Sequence, residues 1–312
     1  MNAYRTEMIA IGECMLELTR DQGQWRLGYA GDTFNTALYL SRLGVPTAYL
    51  TALGVDPFSQ EMLAEWRAEG LDTSLVLSSP ARLPGLYAVR NDEQGERHFY
   101  YWRERAAVRE LFSLPGIEAA VARARGAPQL YLSGITLSLF DHDGQARLNE
   151  IAVAVRAGQG EVIFDPNYRP RGWSSAEQAR GAIRALAPTV TIALPTFTDE
   201  AELFGDTSPV QTVLRWRDWG AAQVIVKLGA EGCLVSCPLG TQLVPAVAVA
   251  TVIDTTGAGD AFNAGFLAAR HAGQSAAQAA ASASRLAALV IQHRGALLPR
   301  ERMQQIRAVL QN

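Results

Sequence analysis

A chain of 312 residues, 48% hydrophobic and 19% charged, can bury a full core and has the composition of an ordinary globular protein. Its formal net charge of −3 offers no basic surface for nucleic acid or anionic lipid, and no apolar run approaches the ~20 residues of a membrane span. Cys14, Cys233 and Cys237 are too few and too scattered for a disulfide framework, no histidine has metal or triad spacing, and residues 1–7 lack an apolar signal core, so buried free thiols and a cytoplasmic location are expected.

Along the chain, short apolar runs alternate with amphipathic stretches, which predicts a mainly parallel sheet covered by helices in a single domain over 1–312. Met8-Ile9-Ala10-Ile11 reads as the first strand. Gly28-Tyr29-Ala30-Gly31-Asp32-Thr33-Phe34-Asn35 is a turn before a helix over 33–43, stopped by Gly44 and Pro46. Asp32 and Asn35 suit hydroxyl binding there, although Asp32 also suits an N-cap. Asp56-Pro57 is an N-cap with proline at N1, opening a helix that ends at Gly70.

Residues 86–90 and 97–102 flank a polar turn over 91–96 and read as a hairpin. Strand alternation puts Phe99, Tyr101 and Arg103 on one face. Such a sheet is either a lid over a polar ligand or an edge hairpin with its aromatics on the body. Residues 130–132, 162–164 and 224–226 are brief buried strands. Asp165-Pro166-Asn167-Tyr168-Arg169-Pro170 follows the second of these, where open α/β sheets bind ligands. An arginine between two prolines suits bidentate binding of a carboxylate or phosphate, or an internal pair with Asp165. Lys227-Leu228-Gly229-Ala230-Glu231-Gly232 follows the third and lets a nucleotide come close. Two Ala-rich helices, 258–271 and 276–293, lie near the end of the chain.

The run Asp254-Thr255-Thr256-Gly257-Ala258-Gly259-Asp260-Ala261-Phe262 carries the most chemistry. Glycines before a helix let a ligand approach the backbone, and the helix N-terminus attracts phosphate. Asp260 would repel that phosphate, but it is placed to take a proton from a hydroxyl attacking it. For an isolated aspartate, a first-turn dipole partner would be the simpler reading; the Gly-Ala-Gly before it favours the base. No G-x-x-x-x-G-K-[ST], no G-x-G-x-x-G after the first strand and no H-R-D or D-F-G set occurs. P-loop enzymes, dinucleotide-dependent dehydrogenases and protein kinases are thereby disfavoured.

Taken in order, Gly31-Asp32-x-x-Asn35 and Asp254-Thr255-x-Gly257-Ala258-Gly259-Asp260 resemble the two signatures of the ribokinase-like (PfkB) carbohydrate kinases, over essentially the whole chain. Ala30 stands where the first signature usually has glycine, which would be strained if φ were positive there. The resemblance implies a three-layer α/β/α sandwich with a mainly parallel central sheet and a small β-sheet lid from segments about 13–30 and 84–105. Within the family, Phe99-Tyr100-Tyr101-Trp102-Arg103 and the Asn167-Tyr168-Arg169 stretch are similar to kinases of keto-deoxy sugar acids. The same fold acting on fructose or a 5-keto-2-deoxy acid, and a non-catalytic sugar sensor, are the alternatives.

By that likeness Asp260 is the catalytic base and Gly257, Ala258 and Gly259 the anion hole. Gly31, Asp32, Asn35, Tyr87, Tyr101, Arg103 and Arg169 bind the sugar acid; Asn167, Lys227, Gly229, Gly232 and Ser284 bind ATP. Phe197-Thr198-Asp199-Glu200 is matched to an Asn-x-x-Glu element, which assigns Glu200 to Mg²⁺ through water. A monovalent cation such as K⁺ would lie near Asp254, Thr256 and Arg294-Gly295-Ala296, and an exposed lid sheet would pair two copies.

Overall fold

The structure is a computed structural model that describes residues 7–21, 23–91 and 97–310. In chain order its strands are β1 (Met8–Ile11), β2 (Met15–Asp21), β3 (Gln24–Ala30), β4 (Thr47–Leu53), β5 (Val76–Ser78), β6 (Leu86–Asn91), β7 (Arg97–Trp102), β8 (Gln129–Ser133), β9 (Glu161–Asp165), β10 (Ile192–Ala193), β11 (Gln223–Lys227), β12 (Cys233–Cys237) and β13 (Gly240–Val244). The α-helices are α1 (Asp32–Arg42), α2 (Pro57–Ala68), α3 (Ile117–Arg125), α4 (Gly134–Ser138), α5 (His142–Ala157), α6 (Ala176–Leu186), α7 (Phe197–Phe204), α8 (Pro209–Asp218), α9 (Ala258–His271), α10 (Ala276–Val290) and α11 (Met303–Leu310).

Alternation along the buried strands divides the interior in two. Ile9, Ile11, Leu130, Leu132, Val162 and Phe164 face one core, closed by α3, α5, α6 and α8. Met8, Ala10, Tyr131, Ile163 and Ile225 face the other, closed by α1, α2, α9 and α10. The result is a three-layer α/β/α sandwich. Its nine-stranded sheet runs β13-β12-β11-β10-β9-β8-β1-β4-β5, parallel from β11 to β5, with β12 and β13 antiparallel at one edge. A four-stranded sheet, β3-β2-β6-β7, joins the segments around residues 15–30 and 86–102. Its middle pair, β2 and β6, is parallel and its outer pairs are antiparallel. The expected turn between β6 and β7 falls on residues 92–96, outside the described residues.

Local chemistry sets the helix ends. Asp56 caps α2 by accepting from the Ser59 amide, with Pro57 at the first helical position. Ser275 and Gln278 form a capping box on α10. That helix ends at Val290 rather than 293, because the amides of Gln292 and His293 donate three residues back, to Leu289 O and Val290 O, and the Ile291 carbonyl accepts from Ile253 and Asp254. Ala-rich faces bring α9 and α10 close; a Cβ added at Gly265 would stand 2.9 Å from Ala283 Cα. Gly265→Leu is therefore expected to lower stability by at least ~1–3 kcal/mol through overpacking. Urea denaturation checks this, and an unchanged midpoint would contradict so close an approach.

Candidate active site

The carboxyl ends of the parallel strands open into a cleft of about 1020 Å³, bordered by Glu13, Asp32, Tyr101, Arg103, Arg169 and Arg171 among others. β1 delivers Gly12 and Glu13 to it, β9 the 165–169 loop, and the small sheet covers it. Gly31 is needed for close approach, since a Cβ there would lie 2.0 Å from Glu13 O. Ala30 has no positive φ, so alanine in the place of the usual glycine carries no strain.

The turn into α9 has the geometry of an anion site. Gly257 is its N-cap at φ 73, with no side-chain cap bond, and a Cβ on it would press on Ala296 at 2.7 Å. Only glycine fits both demands. First-turn amides of a helix lack intrahelical acceptors, and the dipole makes that end positive. Beneath it lies Lys227, whose Nζ would stand 3.7 Å from a Cβ at Gly259. Lys227 Nζ donates to Asp165 Oδ2 at 2.8 Å and to Asn263 Oδ1 at 3.2 Å. Asn263 Nδ2 donates in turn to Asp165 Oδ2 at 2.6 Å and to the Tyr131 hydroxyl at 3.1 Å.

Asp260 sits in the first turn of α9, half-buried, and its Oδ2 accepts from Asn35 Nδ2 at 2.8 Å. Burial, and then the nearby Asp32, push its pKa up to about 8, against the stabilising Asn35 bond. Such a value suits a base working near neutral pH. Asp32 accepts from Asn167 Nδ2 at 3.0 Å. Burial raises its pKa too, countered by hydrogen bonds from Ser133, Thr33 and Asn167. Asn35 and Asn167 thus each hold a carboxylate. Asn167 does so from a left-handed backbone at φ 34, a conformation that asparagine tolerates better than most residues.

The alternative Asp165–Arg169 pair does not form. Asp165 is taken by Lys227, while Arg169 Nη1 donates to Asp199 Oδ2 at 3.0 Å and to Tyr168 O at 2.6 Å, with its side chain 56% exposed. Arg171, which the sequence reading passed over, donates to the Phe99 carbonyl on β7 at 3.1 Å. Tyr87, Phe99 and Tyr101 stack on one face of the small sheet, and the Arg103 guanidinium lies 5.9 Å from the Tyr101 ring centre. Tyr101 and Arg103 border the cleft. The Tyr87 ring is buried instead, and its hydroxyl donates to Glu17.

The phase of α7 turns Glu200, matched above to the metal, into the interior. Glu200 is 0% exposed, paired with Arg215 at 2.6 Å and accepting from Trp216 Nε1 at 3.0 Å. One residue earlier, about 100° around the helix, Asp199 faces Arg169. Among the described residues no group of three or more His, Cys, Asp or Glu forms a metal cage. Mg²⁺ that is held chiefly by nucleotide phosphates and water needs only one or two protein carboxylates, and Asp199 fits that demand. The turn with Gly229 and Gly232 follows β11, and Ser284 on α10 accepts from the Val247 amide at 3.1 Å. Asp254 accepts from the amides of Thr256 at 2.8 Å and Gly295 at 2.6 Å, tying the turn before α9 to the one after α10.

An anion turn backed by a lysine, a raised-pKa carboxylate beside it and a polar, arginine-bearing cleft define a phosphotransferase acting on a hydroxyl compound. Residues 5–303 match the pfkB family carbohydrate kinases, and the chain belongs to that family. It is 43% identical over 306 residues to 2-dehydro-3-deoxygluconokinase of Dickeya dadantii, covering 96% of this chain and 99% of that one. Identity to 2-dehydro-3-deoxygluconokinase of Escherichia coli is 42% over 304 residues, covering 95% and 98%. The fold matches a putative ribokinase II from E. coli solved with ATP and Mg²⁺, at TM-score 0.84 and 23% identity, covering 98% of this chain and 99% of that one.

A base must be deprotonated to accept a proton, and the Asp260 carboxyl is raised to about 8. We therefore expect kcat/KM to climb with pH below a midpoint near 8 and to level off above it. A pH–rate profile already flat from pH ~6, as for an unperturbed carboxylate, would contradict this.

Proposed function

We propose that the protein transfers the γ-phosphate of ATP to the primary hydroxyl of 2-keto-3-deoxygluconate, giving 2-keto-3-deoxy-6-phosphogluconate. The observation that carries this is the cation content of the cleft: Arg103, Arg109, Arg169 and Arg171 all border it. A substrate carboxylate needs such partners, whereas a neutral sugar does not. The curated relatives described above, named for the 2-dehydro form of the same acid, support it.

In this reading the acid lies under the small sheet, its carboxylate toward Arg103 and Arg169 and its hydroxyls toward Gly31, Asp32 and Asn35. Asp260 accepts the proton of the attacking hydroxyl while Asn35 keeps its carboxylate oriented. The backbone of the Gly257–Gly259 turn, chiefly the Gly257 and Gly259 amides because Ala258 N donates to Thr255 O, and the Lys227 ammonium stabilise charge on the transferred group. Asn167, Gly229, Gly232 and Ser284 line the nucleotide side. Mg²⁺, held through Asp199 and water, would neutralise phosphate charge. K⁺ would lie beside Asp254, whose carboxylate also accepts from the Thr256 and Gly295 amides. A cytoplasmic location follows from the need for ATP.

The outer face of the small sheet, the one without Tyr87, Phe99 and Tyr101, bears Trp25, Leu27, Tyr100 and Trp102, all exposed, and Tyr100 and Trp102 also reach the border of the cleft. A sheet apolar on both sides is a poor solvent surface, and we assign its outer face to a second copy of the chain.

One feature favours a neutral sugar such as fructose: Arg103 is already paired with Glu13, and Arg169 with Asp199. ADP production with Mg-ATP and 2-keto-3-deoxygluconate, run beside fructose and ribose, decides between them. Turnover on the keto acid is expected; turnover on a neutral sugar alone would return the arginines to structural roles. Asp260→Asn should lower turnover by about 10²–10⁴-fold, and near-normal turnover would remove Asp260 as the base.

A further inference from the structure

Glu13 lies two residues past the end of β1 and is 2% exposed, yet it borders the cleft. Burying a carboxylate costs several kcal/mol unless charge and hydrogen bonds compensate it, so an apolar residue would be the cheaper choice at this position. Its neighbours are arranged around it. Arg103 Nη2 lies 2.5 Å from Glu13 Oε2. A Cβ at Gly85 would come within 2.9 Å of Glu13 Oε1 and 3.3 Å of Arg103 Cβ. The Arg103 carbonyl accepts from Arg109 Nε at 2.9 Å and from the Ala106 amide at 3.2 Å, which fixes its backbone. Its side chain is left to be aimed by Glu13.

The pair is electrostatically matched but not saturated. Glu13 Oε2 is met by Arg103 Nη2, whereas Glu13 Oε1 and Arg103 Nε are buried with no hydrogen-bond partner among the described residues. The Arg103 side chain is 15% exposed at the cleft border, so a ligand carboxylate can reach the part of the guanidinium that Glu13 does not take, where unpaired polar atoms would be costly. Glu13 lies just beyond β1 of the central sheet, and Arg103 is the first residue after the last strand of the small one. The contact therefore spans the root of the sheet that covers the substrate.

We propose that Glu13 is a positioning residue for substrate recognition: it holds the Arg103 guanidinium at the root of the lid so that the sugar-acid carboxylate completes its hydrogen bonds. This rests on the reading of the cleft as a sugar-acid site. Glu13 touches neither phosphate nor the attacking hydroxyl. Its loss acts on binding of the acid and not on the chemical step.

Steady-state kinetics on the full chain test this. Glu13→Gln keeps the shape and removes the charge, and should raise KM for 2-keto-3-deoxygluconate about tenfold, the size of one charge-assisted hydrogen bond. kcat and the KM for ATP should hardly change, and Glu13→Asp should restore part of the loss. Arg103→Ala should raise the same KM, and adding Glu13→Gln to it should cost nothing further. A lower KM in Glu13→Gln would show that Glu13 competes with the substrate, and would overturn the proposal. So would an unchanged KM where Arg103→Ala raises it, or a fall in melting temperature with both KM values shifted together. If Arg103→Ala itself leaves KM unchanged, the sugar-acid reading of Arg103 falls, and the positioning role with it.

Discussion

Lys227 carries its charge at 8% exposure beneath the amino end of α9, where the helix dipole is already positive. Two positive ends brought together in a dry place attract an anion strongly, but they also repel each other. Asp165 resolves this at 2.8 Å, and Asn263, three residues along α9 from Asp260, locks both partners. Because Asp165 ends β9 and Lys227 ends β11, the central sheet itself sets where the ammonium lies. The phosphate turn, the base and the cleft floor are all referenced to that buried pair.

Three carboxylates crowd this region, and their partners make them different. Asp165 is satisfied by an ammonium and an amide nitrogen. Asp32 has hydrogen bonds from Ser133, Thr33 and Asn167. Among the described residues Asp260 has one side-chain donor, Asn35, and it faces the field of the other two. Neighbouring acids pushed apart in this way can serve different tasks at one pH, the anchored ones binding and the least supported one moving protons.

Periodicity and turn chemistry disclosed much of this. The all-buried run of β1, the cap at Asp56 and the limits of α9 are local properties, and the structure keeps them. The roles of the two asparagines were not legible, because each is defined by a carboxylate far away in sequence, 225 residues for Asn35 and 135 for Asn167. Glu200 and Asp199 differ only in helical phase, which a four-residue match cannot fix without the packing of Arg215 and Trp216. Asn263 had a readable signal, its i+3 spacing from Asp260 on the same helix. Glu13 had another, a charged residue one glycine beyond a wholly apolar strand.

The parallel join between β2 and β6 sets the order in which the molecule assembles. The Tyr87–Glu17 contact closes a loop of 70 residues, an entropic cost of roughly 4 kcal/mol that local hairpins avoid. The central sheet and its helices must form before that closure is rewarded. The same seam is then the first to open, since Met15, Tyr87 and Val89 form a small cluster apart from the main cores and Leu16 and Tyr29 are only partly buried against one of them. Warming or mild denaturant would unzip the small sheet while the sandwich beneath it stays folded. The working lifetime of such an enzyme is set by its thinnest layer and not by its global stability.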